Sequence, residues 1–308
     1  MRFFLLSLLF LVPSLSFAQV DDSISASAED LDELDLDAYE ASREDSILGA
    51  LRFDHGTIVI ADGVATLDLP DTFKFLGAEQ SRLVLLELWD NPPSSAVGVA
   101  GIIFPVEAGV YDDDFAFIVS FEETGYVSDA DADAIDYTAK LTRMKVEDQT
   151  ENRERRAQGF DGLELVGWAS PPFYDKARKV LHWAKEMHSD NAETNVLNYN
   201  VRVLGRRGVL VLNAIGGMHL LPKVEASIPA VLDMTSFNDG HRYDQFDPDV
   251  DIESDTGLGG LIDGDVKSRM GAVLKKVLIV AAVSIVGLVA IISAVLLIMR
   301  RRRNSPMS

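Results

Sequence analysis

The sequence predicts an α+β fold, in which antiparallel sheets pack with helices in an exported domain and one transmembrane helix follows at the C-terminus. Three observations predict it. Short β-rich runs alternate with helical segments between residues 47 and 253, turns rich in glycine or proline separate these runs, and an uncharged apolar run occupies Val277–Met299. Strands that follow one another through short turns favour antiparallel pairing.

The N-terminus has the pattern of a secretory signal peptide over residues 1–18. Arg2 precedes an apolar run, and Ser16 and Ala18 supply small residues at the cleavage position. An uncleaved N-terminal anchor is the alternative. Residues 19–46 follow as an acidic arm, which has too few apolar side chains to offset the entropy of ordering. We expect this arm to be disordered, and the alternative is a helix around residues 31–44.

The first half of the α+β domain, which is expected over residues 47–253, begins with a hairpin signal. In order, the sequence predicts strands over 56–60 and 64–69 joined by an Asp-Gly turn, a helix over 78–88, strands over 97–106 and 115–121, and a long polar helix over 133–158. Gly159 is the expected end of that helix.

The sequence predicts mainly strands in the second half of the domain. They cover residues 163–168, 179–187, 196–204 and 208–215, and a helix over 222–235 follows them. Pro171 and Pro172 are expected to end the first of these strands. The motif Trp-x-x-Pro-Pro occurs at Trp89 and again at Trp168, which leaves an internal duplication open.

Polar side chains alternate along the strand predicted over residues 196–204. Asn198, Asn200 and Arg202 lie two residues apart, so they share one face of the strand. Two amides and a guanidinium are unusual for a core. This face is therefore the first candidate for a recognition site, with a polar sheet surface as the alternative.

Two adjacent arginines occupy the turn before the last predicted strand. Arg206 and Arg207 stand between Gly205 and Gly208, which predicts a tight hairpin with the arginines at its tip. Such a pair is able to bind a carboxylate or phosphate of a partner. The alternative is a solvated turn in which both arginines pair with acidic residues of the chain.

Two aspartate ladders are candidates for metal binding. Asp247, Asp249 and Asp251 alternate as calcium ligands do, but the loop lacks the glycine and glutamate of an EF-hand, so they are weak candidates. The other ladder, residues 129–133, is better explained by capping of the helix that follows. No dinucleotide, P-loop or serine-hydrolase motif is present, and no cofactor is expected.

Charge and cysteine content narrow the function classes. The net charge is −21, and it becomes −28 once the seven basic residues of the two acid-free ends are set aside. Such a domain repels nucleic acid, so no nucleic-acid partner is expected. The chain has no cysteine, which excludes disulfides and thiolate chemistry.

The C-terminal segments predict a single-pass anchor. Val277–Met299 is long enough to span a bilayer, and the bilayer is thus the expected partner of this segment. A flexible linker is expected over residues 254–276 and a basic cytoplasmic tail over 300–308, where four consecutive arginines satisfy the positive-inside rule. The predicted location is the cytoplasmic (inner) membrane, with the domain on the extracytoplasmic side.

Several motifs of the domain resemble a bacterial family of predicted membrane-anchored proteins of unknown function, DUF2167. The most specific is LNYNVRVLGRRGVL at residues 197–210, and further matches are residues 89–93, 125–127, 135–137, 166–172, 174–175, 183–185 and 237–247. The likeness covers roughly residues 50–260, although this chain has Asp90 where the family more often has glycine. The family implies no catalytic residues. The helix followed by residues 236–246 also resembles the Mog1/PsbP-type sandwich.

Together these features favour a non-enzymatic envelope protein that faces the periplasm and binds another envelope protein or component. The alternative is an envelope hydrolase or transferase that uses His and Asp residues outside known motifs, for example His182 with Asp175. A cavity that gathers a histidine beside a carboxylate of raised pKa would favour the enzyme.

Overall fold

The fold is seen in a computed structural model, which describes residues 36–190 and 192–263. The chain divides between Ser46 and Ile47 into two compact units, and the structure describes residues 36–46 of the first. Helix α1 (Leu36–Ala50) begins within the arm. The predicted signal peptide, the anchor Val277–Met299 and the tail lie outside the described residues.

The described chain of the second unit alternates strands and helices as the sequence predicts. The strands are β1 (Phe53–Asp54), β2 (Thr57–Ile60), β3 (Ala65–Asp68), β4 (Phe73–Gly77), β5 (Val99–Pro105), β6 (Ala116–Glu122), β7 (Leu163–Asp175), β8 (Val180–Ser189), β9 (Val196–Leu204), β10 (Val209–Gly217) and β11 (Thr235–Phe237). The helices are α2 (Ala78–Leu83), which continues as a π-turn over Val84–Leu88, α3 (Tyr137–Ala157), α4 (Leu221–Asp233) and α5 (Leu258–Asp263).

Within residues 36–190 and 192–263 the strands form two antiparallel sheets. The large sheet has the order β1-β4-β5-β6-β10-β9-β8-β7, and the small sheet has the order β11-β3-β2. The predicted α+β class with antiparallel sheets and packed helices is therefore confirmed. Strand β9, which carries the predicted recognition residues, lies inside the large sheet between β10 and β8.

One face of the large sheet is covered by α4 and the small sheet. Val224, Ile228 and Val231 of α4 have the helical spacing that places them on one side, and they are buried against Tyr199 and Val201 of β9. Ile60, Ala65 and Leu67 of the small sheet join the same cluster. This face is the larger part of the apolar core.

The opposite face of the sheet carries two separate apolar clusters. One lies under α3 and α5 and includes Leu181, Trp183 and Leu204. The other lies under α2 and its π-turn and includes Ile102 and Phe104. Helices thus cover both faces of the sheet, and the second face is divided between two helical layers.

Strand β7 differs from its prediction because it does not end at the prolines. It pairs with β8 from Leu163 to Asp175, with register shifts near Gly167, Ser170 and Phe173. Since β7 is the edge strand and its register shifts between Ser170 and Phe173, Pro171 and Pro172 fall where the pairing with β8 is interrupted. Trp168 therefore lies in a strand, whereas Trp89 follows a π-turn, so the two Trp-x-x-Pro-Pro motifs do not mark equivalent units.

The described part of the predicted flexible linker, up to Asp263, is folded onto the domain. Leu258, Leu261 and Ile262 of α5 are buried, and Asp131 accepts hydrogen bonds from the first two backbone N–H groups of the helix at 3.0 and 3.1 Å. A Cβ on Gly257 would lie 2.6 Å from the Asp131 carboxylate. The glycine therefore permits this close packing.

Within the described part of the chain, no helix has both the length and the apolar content that a membrane crossing requires.

Candidate functional site

The predicted recognition residues of β9 do share one face of the sheet. Asn200 pairs with Trp183 of β8 on one side and with Asn213 of β10 on the other, so these three side chains form a row across three strands. We call Trp183, Asn198, Asn200, Arg202 and Asn213 the polar patch. It lies on the divided face of the sheet, between the two apolar clusters.

The sequence does not identify two members of this patch. Asn213 interrupts an otherwise apolar run in β10, which is a visible signal, but only the strand pairing brings it beside Asn200. Nothing in the sequence distinguishes Trp183 from an ordinary core residue. In the structure its side chain is buried, with 1% exposed. Asn200 is 5% exposed and the other three residues are half-buried, so the patch is more deeply placed than an open sheet surface.

A chain of hydrogen bonds orders the side chains along β9. Asn200 Nδ2 donates to Asn198 Oδ1 at 2.7 Å and to the Asn198 carbonyl at 3.1 Å. Asn200 Oδ1 accepts from Arg202 Nη2 at 3.3 Å, and Arg202 Nη1 donates to the Val201 carbonyl at 3.3 Å. Arg202 therefore leans back along its strand toward Asn200.

The guanidinium of Arg202 stacks on Trp183 and has no carboxylate ligand among the described residues. Its Cζ lies 5.1 Å from the centre of the indole ring. Burial lowers the pKa of Arg202 to about 10, and the negative charge of Glu122 opposes this shift. The side chain remains a cation at neutral pH, held in place by neutral acceptors and an aromatic ring.

Two buried polar atoms of the patch have no hydrogen-bond partner within the described chain. They are the indole Nε1 of Trp183, a donor, and Oδ1 of Asn213, an acceptor. An unpaired buried polar group costs about 1–3 kcal/mol. Because both atoms lie in one row with Asn200, the patch is the candidate functional site of the described chain.

A cavity of about 340 Å³ lies next to one end of the patch, and its wall is mainly apolar but also includes Asp112 and Asp114. Val196 and Ile215 contribute to its wall from β9 and β10, and Ile215 pairs directly with Asn198. Trp89 and Phe104 close it from the other helical layer, and Tyr111 lies at its edge, 52% exposed. One end of the polar patch, at Asn198, thus borders the mainly apolar cavity.

The paired arginines are engaged within the chain. Arg206 Nε donates to Asp251 Oδ2 at 2.6 Å, and Arg207 Nε donates to Asp251 Oδ1 at 2.7 Å. The Asp251 carboxylate is completely buried, whereas Arg207 is 55% exposed. Of the two interpretations of this hairpin, the structure shows pairing with an acidic residue of the chain.

The aspartate ladder of residues 247–251 is not assembled as a metal site. Both oxygens of Asp251 accept from arginines, and Asp247 Oδ1 accepts from the backbone N–H of Asp249 at 3.1 Å. Within residues 36–190 and 192–263, no group of three acidic or histidine side chains is close enough to hold a metal ion. The carboxylates of Asp247 and Asp251 are thus engaged in contacts within the chain.

The aspartates of residues 129–133 have other roles than the expected capping of α3. Asp129 accepts from Tyr174, Lys179 and Tyr243, which links three segments, and Asp131 caps α5. The N-cap of α3 is instead Asp136, whose carboxylate accepts from two backbone N–H groups of the first turn.

The residues of the predicted enzymatic alternative are placed on the α4 face of the sheet. His182 Nδ1 is 2.8 Å from the hydroxyl of Tyr199, and burial lowers the pKa of His182. Asp175 Oδ1 accepts from two backbone N–H groups of its own turn. The pKa is lowered from its ordinary value at the carboxyl groups of Asp129, Asp190, Asp239 and Asp251. Neither the cavity of about 340 Å³ nor a second one of about 690 Å³ beside Lys140 has a histidine in its wall.

Solved structures that match this chain include two distant similarities. A cyanobacterial PsbP (CyanoP) from Synechocystis sp. PCC 6803 has 13% sequence identity and a TM-score of 0.33, covering 61% of this chain and 92% of that chain. The Ran-binding protein Mog1p from Saccharomyces cerevisiae has 12% identity and a TM-score of 0.32, covering 60% of this chain and 96% of that chain.

No protein with a curated description matches the sequence. The model of a family described as "Protein of unknown function (DUF2167)" matches residues 52–295, which is most of the chain and includes the described sheet with its polar patch. The chain therefore belongs to the DUF2167 family.

Proposed function

We propose that this protein is a non-enzymatic binding module, which faces the periplasm from the cytoplasmic membrane and recognises another envelope protein through the polar patch. The observation that carries the proposal is Arg202, a half-buried cation without a carboxylate ligand among the described residues. The adjoining, mainly apolar cavity extends the surface.

The physical argument concerns the cost of this arrangement. Taking a charged group out of water is unfavourable unless an opposite charge or hydrogen bonds compensate it. Arg202 has two long hydrogen bonds to neutral acceptors, and two neighbouring polar atoms have none within the described chain. A bound partner that supplies the missing contacts offsets this cost, which is how a buried polar patch contributes specificity.

The proposed location rests on the sequence. The signal-peptide pattern of residues 1–18 supports export, and Val277–Met299 followed by four arginines supports a C-terminal anchor with its tail in the cytoplasm. The match to the family extends to residue 295 and so includes most of this apolar segment.

Site-specific photo-crosslinking in intact cells tests the proposal. A benzophenone amino acid replaces Tyr111 at the edge of the cavity, and in a matched control it replaces Phe173, an aromatic residue of β7 that is 58% exposed. We expect a discrete crosslinked protein from the Tyr111 position and none from the Phe173 position.

Two results would contradict the proposal. One is the same set of products from both positions, which indicates contact with bulk envelope proteins. The other is the absence of any product from Tyr111 together with a turnover activity that is lost in His182→Ala, which would favour the hydrolase or transferase.

A further inference from the structure

The N–H donors of the polar patch outnumber its oxygen acceptors, and the Arg202 guanidinium is positively charged, so the patch favours an anionic ligand. A guanidinium carries five N–H groups, and two of those in Arg202 have a neutral acceptor at 3.3 Å. The remaining ones and the indole N–H of Trp183 have no acceptor within the described residues. The ligand group that fits this set is an anion that accepts several hydrogen bonds.

A carboxylate fits better than a phosphate. The planar fork of a guanidinium matches a carboxylate with two parallel hydrogen bonds, and Arg202 is one cation in a region whose net charge is −28. A phosphate carries up to two negative charges at neutral pH, so the acidic domain repels it more strongly than it repels a carboxylate. Glu122, whose charge acts on Arg202, adds to this discrimination.

The unpaired acceptor of the patch adds a second requirement. Asn213 Oδ1 is buried without a donor among the described residues and lies in the same row as Trp183 and Asn200. A ligand that satisfies both sides therefore carries an N–H beside its carboxylate. The free carboxyl end of a peptide has this arrangement, because the amide nitrogen and the carboxylate carbon of the last residue are bonded to the same Cα.

The cavity gives the third requirement, which is the side chain of that last residue. The pair Asn198–Ile215 is the next row beyond Asn200–Asn213 on the same face, roughly 7 Å along the strands. Ile215 already belongs to the cavity wall, and Trp89, Phe104 and Phe115 make much of that wall apolar. Asp112 and Asp114 also line it, and their carboxylates accept hydrogen bonds from the backbone N–H groups of Gly109 and Phe115. The cavity is therefore the space next to the patch that suits an aliphatic or aromatic side chain.

We propose that the polar patch and its cavity form a subsite for the free carboxyl end of a peptide chain whose last residue is apolar. This inference rests on the proposed binding function and specifies its ligand. Arg202 and the Trp183 indole N–H bind the carboxylate, Asn213 accepts from the terminal N–H, and the cavity takes the side chain.

Fluorine NMR of the full-length chain tests this subsite, because the chain has three tryptophans and Trp183 is one of them. The protein is labelled with 5-fluorotryptophan, and Trp183→Phe assigns the resonance. The probes are acetyl-glycyl-leucine and the same peptide with a C-terminal amide, followed by inorganic phosphate. We expect a saturable shift of the Trp183 resonance with the acid, and binding of the amide at least about tenfold weaker.

The matched variants are Arg202→Gln and Arg153→Gln, since Arg153 lies exposed on α3. The first should lose the response to the acid and the second should keep it. If Arg202→Gln does not fold, the comparison of acid with amide in the unmodified chain decides the question. A Trp183 resonance that does not move, or that responds equally to the amide or to phosphate, would overturn the proposal.

These results separate the subsite from the broader function. A specific protein crosslinked at Tyr111 with no response to the acid peptide would leave the binding function standing and remove the carboxylate subsite. A response to the peptide without any crosslinked protein would support the subsite and contradict recognition of an envelope protein.

Discussion

Asp251 is the residue that joins the last part of the described chain to the arginine hairpin. Its carboxylate accepts from Arg206 and Arg207 and also from the backbone N–H of Asp247 at 2.9 Å. The hydrogen bond from Arg206, with the smaller contributions of Asp247 and Arg207, holds the pKa of Asp251 well below its usual range, against the opposing effect of burial.

We predict that Asp251→Asn lowers the Tm by several degrees at pH 7 and that the difference narrows in acid. A carboxyl group whose pKa is depressed in the folded state contributes stability above its unfolded pKa, which is about 3.9. That contribution is lost as the pH falls through the folded pKa. Thermal melts of both chains from pH 7 to pH 3 measure the effect.

The control for this prediction is Asp249→Asn, two residues away, because the Asp249 side chain is exposed. It should change the Tm little at any of these pH values. Equal Tm values for Asp251→Asn and the unmodified chain at pH 7 would contradict the stabilising role of this ion pair.

Helix α5 shows how a segment that looks like a linker becomes part of the core. Its buried residues Leu258, Leu261 and Ile262 pack with Met144 of α3, and its last residue, Asp263, pairs with Lys140 at 2.7 Å and also with Arg143. The domain therefore extends beyond residue 253.

We predict that Leu261→Ala lowers the free energy of unfolding by about 2–5 kcal/mol, because it leaves a cavity under α5. Denaturant unfolding of the full-length chain measures this change. Ile252→Ala is the matched control, since Ile252 is 80% exposed and should have an effect within about 0.5 kcal/mol. Similar losses in the two variants would show that α5 is not packed as described.

Local sequence patterns predict most of the strands and helices. The remaining elements depend on pairing between strands that are far apart in the sequence. The Asp-Gly turn predicts the β2–β3 hairpin, and alternation predicts β8, β9 and β10, because these signals lie within a few residues of each other. Strand β4 escapes prediction because its run follows Pro70 and merges into the next helix. Strand β7 passes two prolines because it is an edge strand, and the sequence does not reveal which strand is at the edge.

The candidate site follows the same division. The spacing of two residues predicts that Asn198, Asn200 and Arg202 share a face, and the structure shows this. The register that brings Trp183 and Asn213 beside them depends on three strands, which a single strand cannot specify. In the same way, the contact of Arg206 with Asp251 joins positions 45 residues apart.

The whole molecule combines a strongly acidic domain with two basic, acid-free ends, which is the basis of its proposed orientation. We predict that a reporter active only in the cytoplasm is silent when it is fused after Gly264 and active when it is fused after Ser308. Reporter activity in the two fusions is the measurement. An active fusion at Gly264 would contradict the export of the domain.

Recognition of a partner through the polar patch is the central claim, and it is tested most directly by the yield of the Tyr111 photo-crosslink in an Arg202→Gln chain. Since hydrogen bonds to a charged group are stronger than neutral ones, loss of the guanidinium should reduce the yield about tenfold, while Arg153→Gln leaves it unchanged. Equal yields in the Arg202→Gln and Arg153→Gln chains would contradict the claim.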